Sequence, residues 1–121
     1  MVVVKPSGRQ VVFAGAAAGG VAAPTALVDV ASRVLLAGEP LGAASEAPRM
    51  HGGSDPDVVY VEPGASTRSA RALINLGYEV VSAEHLGRVS AIACPAGLQS
   101  SPETCAAATD PRGSGLAVST E

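Results

Sequence analysis

Few residues of this 121-residue chain have types and spacing that could do chemistry, and most of them stand alone. His51 and His85 are each isolated, with no cysteine or carboxylate at metal-ligand spacing beside them. Each reads as a lone surface histidine, so neither a metal nor any organic cofactor is expected. Cys94 and Cys105 are too far apart for a CxxC redox pair. They sit in two extended runs joined by a Pro-rich connector, which fits either a cross-strand disulfide or two unrelated small buried residues. Serine and threonine are plentiful, but none lies in the G-x-S-x-G elbow that exposes an activated nucleophile. The exception is Gly15-Ala16-Ala17-Ala18-Gly19-Gly20, which runs from a strand into a helix. Backbone N–H groups at a helix N-terminus are unsatisfied and carry partial positive charge. With no Cβ on Gly19 or Gly20, a phosphate, a carboxylate or the oxyanion of an acyl-transfer intermediate could approach those amides. The same residues also fit a tight turn packed against a neighbour, with no ligand at all. The dinucleotide spacing G-x-G-x-x-G is absent, which leaves nucleotide binding as the weakest reading.

The elements that must position this stretch can be read on either side of it. Val2 to Lys5 and Gln10 to Gly15 are β-like, with turn chemistry at Pro6-Ser7-Gly8-Arg9, and predict a hairpin. Leu27, Val30, Ala31, Val34 and Leu35 recur at helical spacing; Pro24 suits the first turn and Gly38 the stop. Val28 and Leu36 add apolar bulk off that face, so this helix is expected to be covered on much of its circumference. A short helical stretch from Leu41 to Ala47 ends at Pro48, and His51 to Asp57 read as a polar loop turning at Asp55-Pro56. Next comes a compact unit: strand Val58 to Glu62, helix from Ser66 to Leu76, strand Tyr78 to Ser82. Ser66 is its N-cap, Gly77 its C′ glycine, and Ala70, Leu73 and Ile74 its buried face. Val89 to Cys94 and Cys105 to Thr109 are the final extended pair, and residues 113–121 read as a frayed tail.

Composition excludes several classes. A net charge of −3 leaves no basic patch for nucleic acid or an anionic membrane. No apolar run approaches the ~20 residues that span a bilayer. Lys5 and Arg9 interrupt the first apolar stretch, so it does not read as a signal peptide. Hydrophobic residues make up 47% of the chain but aromatics only 2%, so the core must be built from Ala and Val and will be thin. The expectation is one α/β domain over residues 1–121, partial rather than self-sufficient.

Taken in order, several segments resemble the C-terminal part of the gamma-glutamyltranspeptidase small subunit. They are Val3-Val4-Lys5, Val11 to Gly15, Gly19-Gly20, Ala47-Pro48-Arg49-Met50-His51, Pro56-Asp57, Leu73 to Val80, and Thr109-Asp110-Pro111-Arg112. Gly15 to Gly20 is similar to the family's G-S-P-G-G turn, although one residue longer and with Ala in place of Ser and Pro. Ala47 to His51 is similar to A-P-R-F-H, and Ala108 to Arg112 to A-S-D-P-R. The resemblance implies an N-terminal-nucleophile hydrolase, an αββα sandwich made by autocleavage, in which a freed Thr attacks the gamma-glutamyl amide of glutathione. It further implies that Gly19 and Gly20 supply the oxyanion-hole amides. Arg49, Asp110 and Arg112 are expected to fix loops rather than touch substrate.

By the same resemblance, the Thr nucleophile and the groups that hold the glutamyl amine and carboxylate lie upstream of Met1 or in the large subunit. The chain is therefore expected to be a fragment of a gamma-glutamyltransferase, inactive alone. Its partners would be the rest of the heterodimer and, in the intact enzyme, a gamma-glutamyl substrate. The competing expectation is a non-catalytic binding or assembly module that docks its apolar helix or holds an anion at the glycine turn. Family members are usually exported, whereas a chain translated from Met1 carries no export signal and would stay in the cytoplasm.

Overall fold

The computed structural model describes residues 1–54 and 57–118. The turn read at Asp55-Pro56 and the last three residues of the tail lie outside the described residues.

Strand β1 (Val2–Lys5) and strand β2 (Gln10–Ala18) form the expected antiparallel hairpin, closed by a short 3-10 turn over Ser7–Arg9. β2 runs three residues beyond the apolar pattern that suggested it. Its partner explains why: strand β6 (Arg88–Ala93) pairs with it antiparallel from Phe13↔Ala93 to Ala18↔Arg88, so Ala16 to Ala18 are held by ladder bonds despite modest strand propensity. β6 pairs in turn with β7 (Ala106–Thr109), giving a four-stranded antiparallel sheet in the order β1-β2-β6-β7. Helices α1 (Ala23–Leu35) and α2 (Leu41–Glu46) pack on one face of this sheet. Phe13, Val89 and Ala93 from the strands meet Ala26, Val30, Ala31, Leu41 and Ala44 from the helices. One phenylalanine is the only aromatic in that core. Strand alternation sends Val2, Ala14, Ala16, Ala18, Ser90, Ile92 and Ala107 to the opposite face, which no element of the described residues covers.

A second sheet has three strands in the order β3-β4-β5. β3 (Met50–Gly52) is antiparallel to β4 (Val58–Val61), and β5 (Glu79–Ser82) is parallel to β4 through the crossover helix α3 (Thr67–Asn75). The polar loop expected from His51 onward is thus strand through Gly52. Three residues without apolar alternation acquire strand structure because β4 offers them its open edge. Ser66 caps α3, its Oγ accepting from the Ser69 N–H at 3.3 Å, and Gly77 ends the helix at φ +92°. The expected buried face of α3 holds only in part, with Ala70 and Leu73 half-buried. No residue of the helix is fully buried, and Ile74 is 56% exposed because only β5 lies against it.

Among the described residues no helix is long and apolar enough to cross a membrane. Nor does any group of three His, Cys, Asp or Glu side chains converge as a metal site there. Cys94 and Cys105 are joined by a disulfide, Cα to Cα 4.1 Å, at the end of the β6–β7 pair. The tail is tied down at its start: the Gly113 N–H donates to the Asp110 carbonyl at 3.0 Å, and the Thr109 hydroxyl to that of Gly115 at 3.1 Å.

Candidate functional site

The glycines of the Gly15-to-Gly20 stretch separate into three roles. Gly15 is a packing position inside β2: a Cβ there would come within 2.9 Å of the Leu27 side chain of α1. Gly19, at φ +127°, ends the strand, and a Cβ on it would lie 2.7 Å from the backbone of Gly87. Gly20, at φ +62°, has nothing within 4 Å of its Cβ position and opens a 3-10 turn over Gly20–Ala22 that runs into α1. Only Gly19 and Gly20 form the turn, so the apparent extra residue belongs to the strand. The two readings of the stretch divide between them. Gly19 is glycine because another backbone touches it, and Gly20 presents an approachable amide at the start of a helical segment, without an N–H partner inside its own turn.

Gly87 is the anvil of this arrangement. It sits at φ +77° and packs so closely on α1 that a Cβ would meet that of Ala26 at 2.8 Å. The Gly87 carbonyl accepts from Arg49 Nη1 at 3.0 Å. Arg49 is 1% exposed, and its Nη2 bonds the Ser45 carbonyl at 3.0 Å and Asp110 Oδ2 at 2.6 Å. Asp110 also accepts from the Val89 N–H at 2.9 Å and, through Oδ1, from Arg112 Nη1 at 3.0 Å. Arg112 continues to the carbonyls of Ser45 and Ala47, each at 2.9 Å, and to both oxygens of Glu62. Glu62 accepts in addition from the backbone N–H groups of Arg49 and Leu86. Two guanidinium and two carboxylate groups thus cancel in charge and tie α2, the end of β4, the start of β6 and the end of β7 together.

Burial pushes the Glu62 carboxyl up. The guanidinium of Arg112 and the backbone donors of Leu86 and Arg49 outweigh that effect and hold it below the ordinary value. Asp110 follows the same balance: burial raises it, and the Arg112 N–H, the Arg49 guanidinium and the Val89 N–H bring it below ordinary. Both groups are therefore carboxylates, and Arg49, Asp110 and Arg112 bond the loops around them.

Sequence reading missed two participants. Glu62 lies 50 residues from Arg112, and its only local mark was to end a strand. His51 is not the isolated surface residue expected: its Nδ1 lies 2.9 Å from the Thr25 hydroxyl in the first turn of α1, and its ring stacks with Tyr60. His85 is exposed, but it lines a cleft of about 220 Å³ with Gly19, Gly87, Arg88 and Arg112.

A mixed helix-and-strand fold, with a diglycine turn leading from a central strand into a helix, defines the class to which comparison can be made. Residues 1–120 match the sequence model of the gamma-glutamyltranspeptidase family. The chain belongs to that family. Its structure is similar to the gamma-glutamyltranspeptidase from Pseudomonas nitroreducens complexed with L-DON, with TM-score 0.81 and 25% identity over 100% of this chain and 61% of that one. An acivicin-inhibited gamma-glutamyltranspeptidase is similar with TM-score 0.76 and 26% identity, over 93% of this chain and 58% of that one. The Bacillus anthracis transpeptidase CapD shares the fold, with TM-score 0.76 and 18% identity over 99% of this chain and 69% of that one. The chain thus spans about three fifths of the length of the first two. No curated protein matches it by sequence.

Proposed function

We propose that residues 1–121 form the oxyanion-bearing part of a gamma-glutamyltransferase, which hydrolyses or transfers the gamma-glutamyl group of glutathione and related amides. The amides of Gly19 and Gly20 stabilise the oxyanion that develops when the amide carbonyl is attacked. The observation that carries this reading is the contrast between the two glycines. Gly19 is fixed against Gly87, while Gly20 is open at the start of a helical turn, so the second amide is held in place and still reachable. In this reading the nucleophile is a threonine supplied from outside residues 1–121, for which a chain spanning about three fifths of its relatives' length leaves room. Arg49, Asp110 and Arg112 position the turn through Gly87 and do not touch substrate.

The test is made on the protein as its gene encodes it, including whatever is in frame ahead of residue 1. That protein should hydrolyse a gamma-glutamyl anilide, and residues 1–121 alone should not. In the active protein, Gly20→Val should lower turnover about 10²–10³-fold, the usual cost of losing an oxyanion donor. The open space around Gly20 limits the damage to the fold, although its positive φ disfavours a branched side chain. Gly20→Ala should give a smaller loss in the same direction. Near-normal turnover in both variants, with substrate binding retained, would overturn the oxyanion assignment. Activity of residues 1–121 alone would overturn the external nucleophile. If neither form of the protein turns over any gamma-glutamyl donor, the assembly-module reading replaces this one; the outward apolar residues Val28 and Leu36 of α1 and its C-terminus favour it.

A further inference from the structure

Gly87 holds the glycine turn from one side, and a second contact reaches it from the three-stranded sheet. The Gly20 carbonyl accepts from the Ala23 N–H, so the turn is hydrogen-bonded into the first residue of α1 and moves with it. Gly87 lies against Ala22, Ala23 and Ala26 at that helix start. In the same helical turn the Thr25 hydroxyl lies 2.9 Å from His51 Nδ1, both residues half-buried. Among the described residues this is the only hydrogen bond between α1 and the β3-β4-β5 sheet. Arg49 and His51 stand two positions apart where β3 begins. Strand alternation puts their side chains on one side, with Met50 between them turned outward at 40% exposed. Arg49 bonds the Gly87 carbonyl and His51 bonds Thr25, so one short segment grips both neighbours of the turn. The His51 ring is itself fixed, stacked at 17° on Tyr60, its register partner in β4.

We propose that Thr25 and His51 are a positioning pair for the oxyanion turn, fixing the start of α1 so that the Gly20 amide stays aimed at the substrate carbonyl. Neither side chain touches the reacting atoms. The inference rests on the proposed acyl-transfer role of Gly19 and Gly20. An oxyanion donor is effective only when its N–H already points to where charge develops, and a displacement of ~1 Å can cost about 10²-fold in rate. Ala22, Ala23 and Ala26 offer Gly87 no side-chain donor or acceptor, so that contact alone does not fix the helix along its axis. The Thr25–His51 bond is directional and does. It holds with either placement of the ring proton: an unprotonated Nδ1 accepts from the hydroxyl, and an Nδ1–H donates to Oγ1.

The test uses the full encoded protein with gamma-glutamyl-p-nitroanilide as donor. Thr25→Val keeps the side chain's shape and removes the hydroxyl; His51→Phe keeps a ring against Tyr60 and removes the nitrogen. Each should lower kcat about fivefold and leave KM within about twofold of the parent, the scale of one neutral hydrogen bond expressed in the transition state. Thr25→Ser should recover most of that loss. The double variant should be no slower than either single, because the two residues act as one unit. Added to Gly20→Ala, Thr25→Val should cost less than about twofold, since the turn it aims is already impaired. A loss under about twofold in both singles would overturn the proposal. So would a Thr25→Ser variant as slow as Thr25→Val, or losses that multiply in the double variant. Amide hydrogen exchange gives a reading that needs no turnover. Thr25→Val should speed exchange about fivefold at Gly20–Ala22 and leave the β1–β2 hairpin unchanged. Unchanged exchange at the turn would overturn the pair's role, whether or not the protein is active. A parent that turns over no gamma-glutamyl donor overturns the proposed function instead, and exchange alone then decides whether the pair holds the turn.

Discussion

Glu62 closes a circuit that no single residue could hold. It is 4% exposed, accepts from two backbone N–H groups and meets the guanidinium of Arg112 with both oxygens, so protonating it strands donors from three segments. Its folded-state pKa lies below the ordinary value, as does that of Asp110. Groups depressed in this way stabilise the fold at pH above their unfolded values, near 4, and lose that contribution as the pH falls through the lower folded values. The Tm should therefore be flat near neutrality and fall below about pH 4. Glu62→Gln should lower stability at pH 7 by about 3–5 kcal/mol, the scale for removing one partner of a buried pair, and should flatten the acid limb. A variant melting like the parent at both pH values would show the cluster to be idle. None of this was legible in the local pattern. Arg49, Asp110 and Arg112 could be marked as loop-fixing because they follow turn-forming prolines or precede one, but Glu62 joins them only through a contact across 50 positions of sequence.

At the scale of elements, sequence periodicity served where a segment's structure is decided within it. The β1–β2 hairpin, α1 with its proline entry, and the strand-helix-strand unit through α3 all carry their own turns, caps and apolar spacing. It failed where a neighbour decides. β3 exists because β4 has an open edge, and β2 reaches Ala18 because β6 accompanies it. The β6–β7 pair has an additional constraint in the Cys94–Cys105 bond, which closes a loop of 11 residues' separation. Limiting the unfolded chain across a loop of that length is worth about 2–3 kcal/mol. The double variant Cys94→Ala/Cys105→Ala should lose about that much in urea titration, and reductant should destabilise the parent but not the variant. Equal stability with and without reductant in the parent would refute the contribution.

The molecule as a whole has one well-covered side and one bare one. Helices α1 and α2 bury a core of small side chains against the four-stranded sheet, while among the described residues no helix or strand covers the sheet's other face, and the outer residues Val28 (58%) and Leu36 (85%) are exposed. Residues 1–121 alone should therefore self-associate, with light scattering that rises with concentration and a melting transition that broadens. A monomer with a sharp cooperative melt would show that the thin core suffices. The order in which the chain is made adds a constraint of another kind. Synthesis delivers Arg49 and Glu62 long before Asp110 and Arg112, the two partners that neutralise them. Until those last residues leave the ribosome, the two sheets can approach only by burying charges that have no counterparts. Closure is thereby postponed until Asp110 and Arg112 have been made. A nascent chain stopped short of Asp110 would stay open and within reach of proteases, however complete its strands and helices.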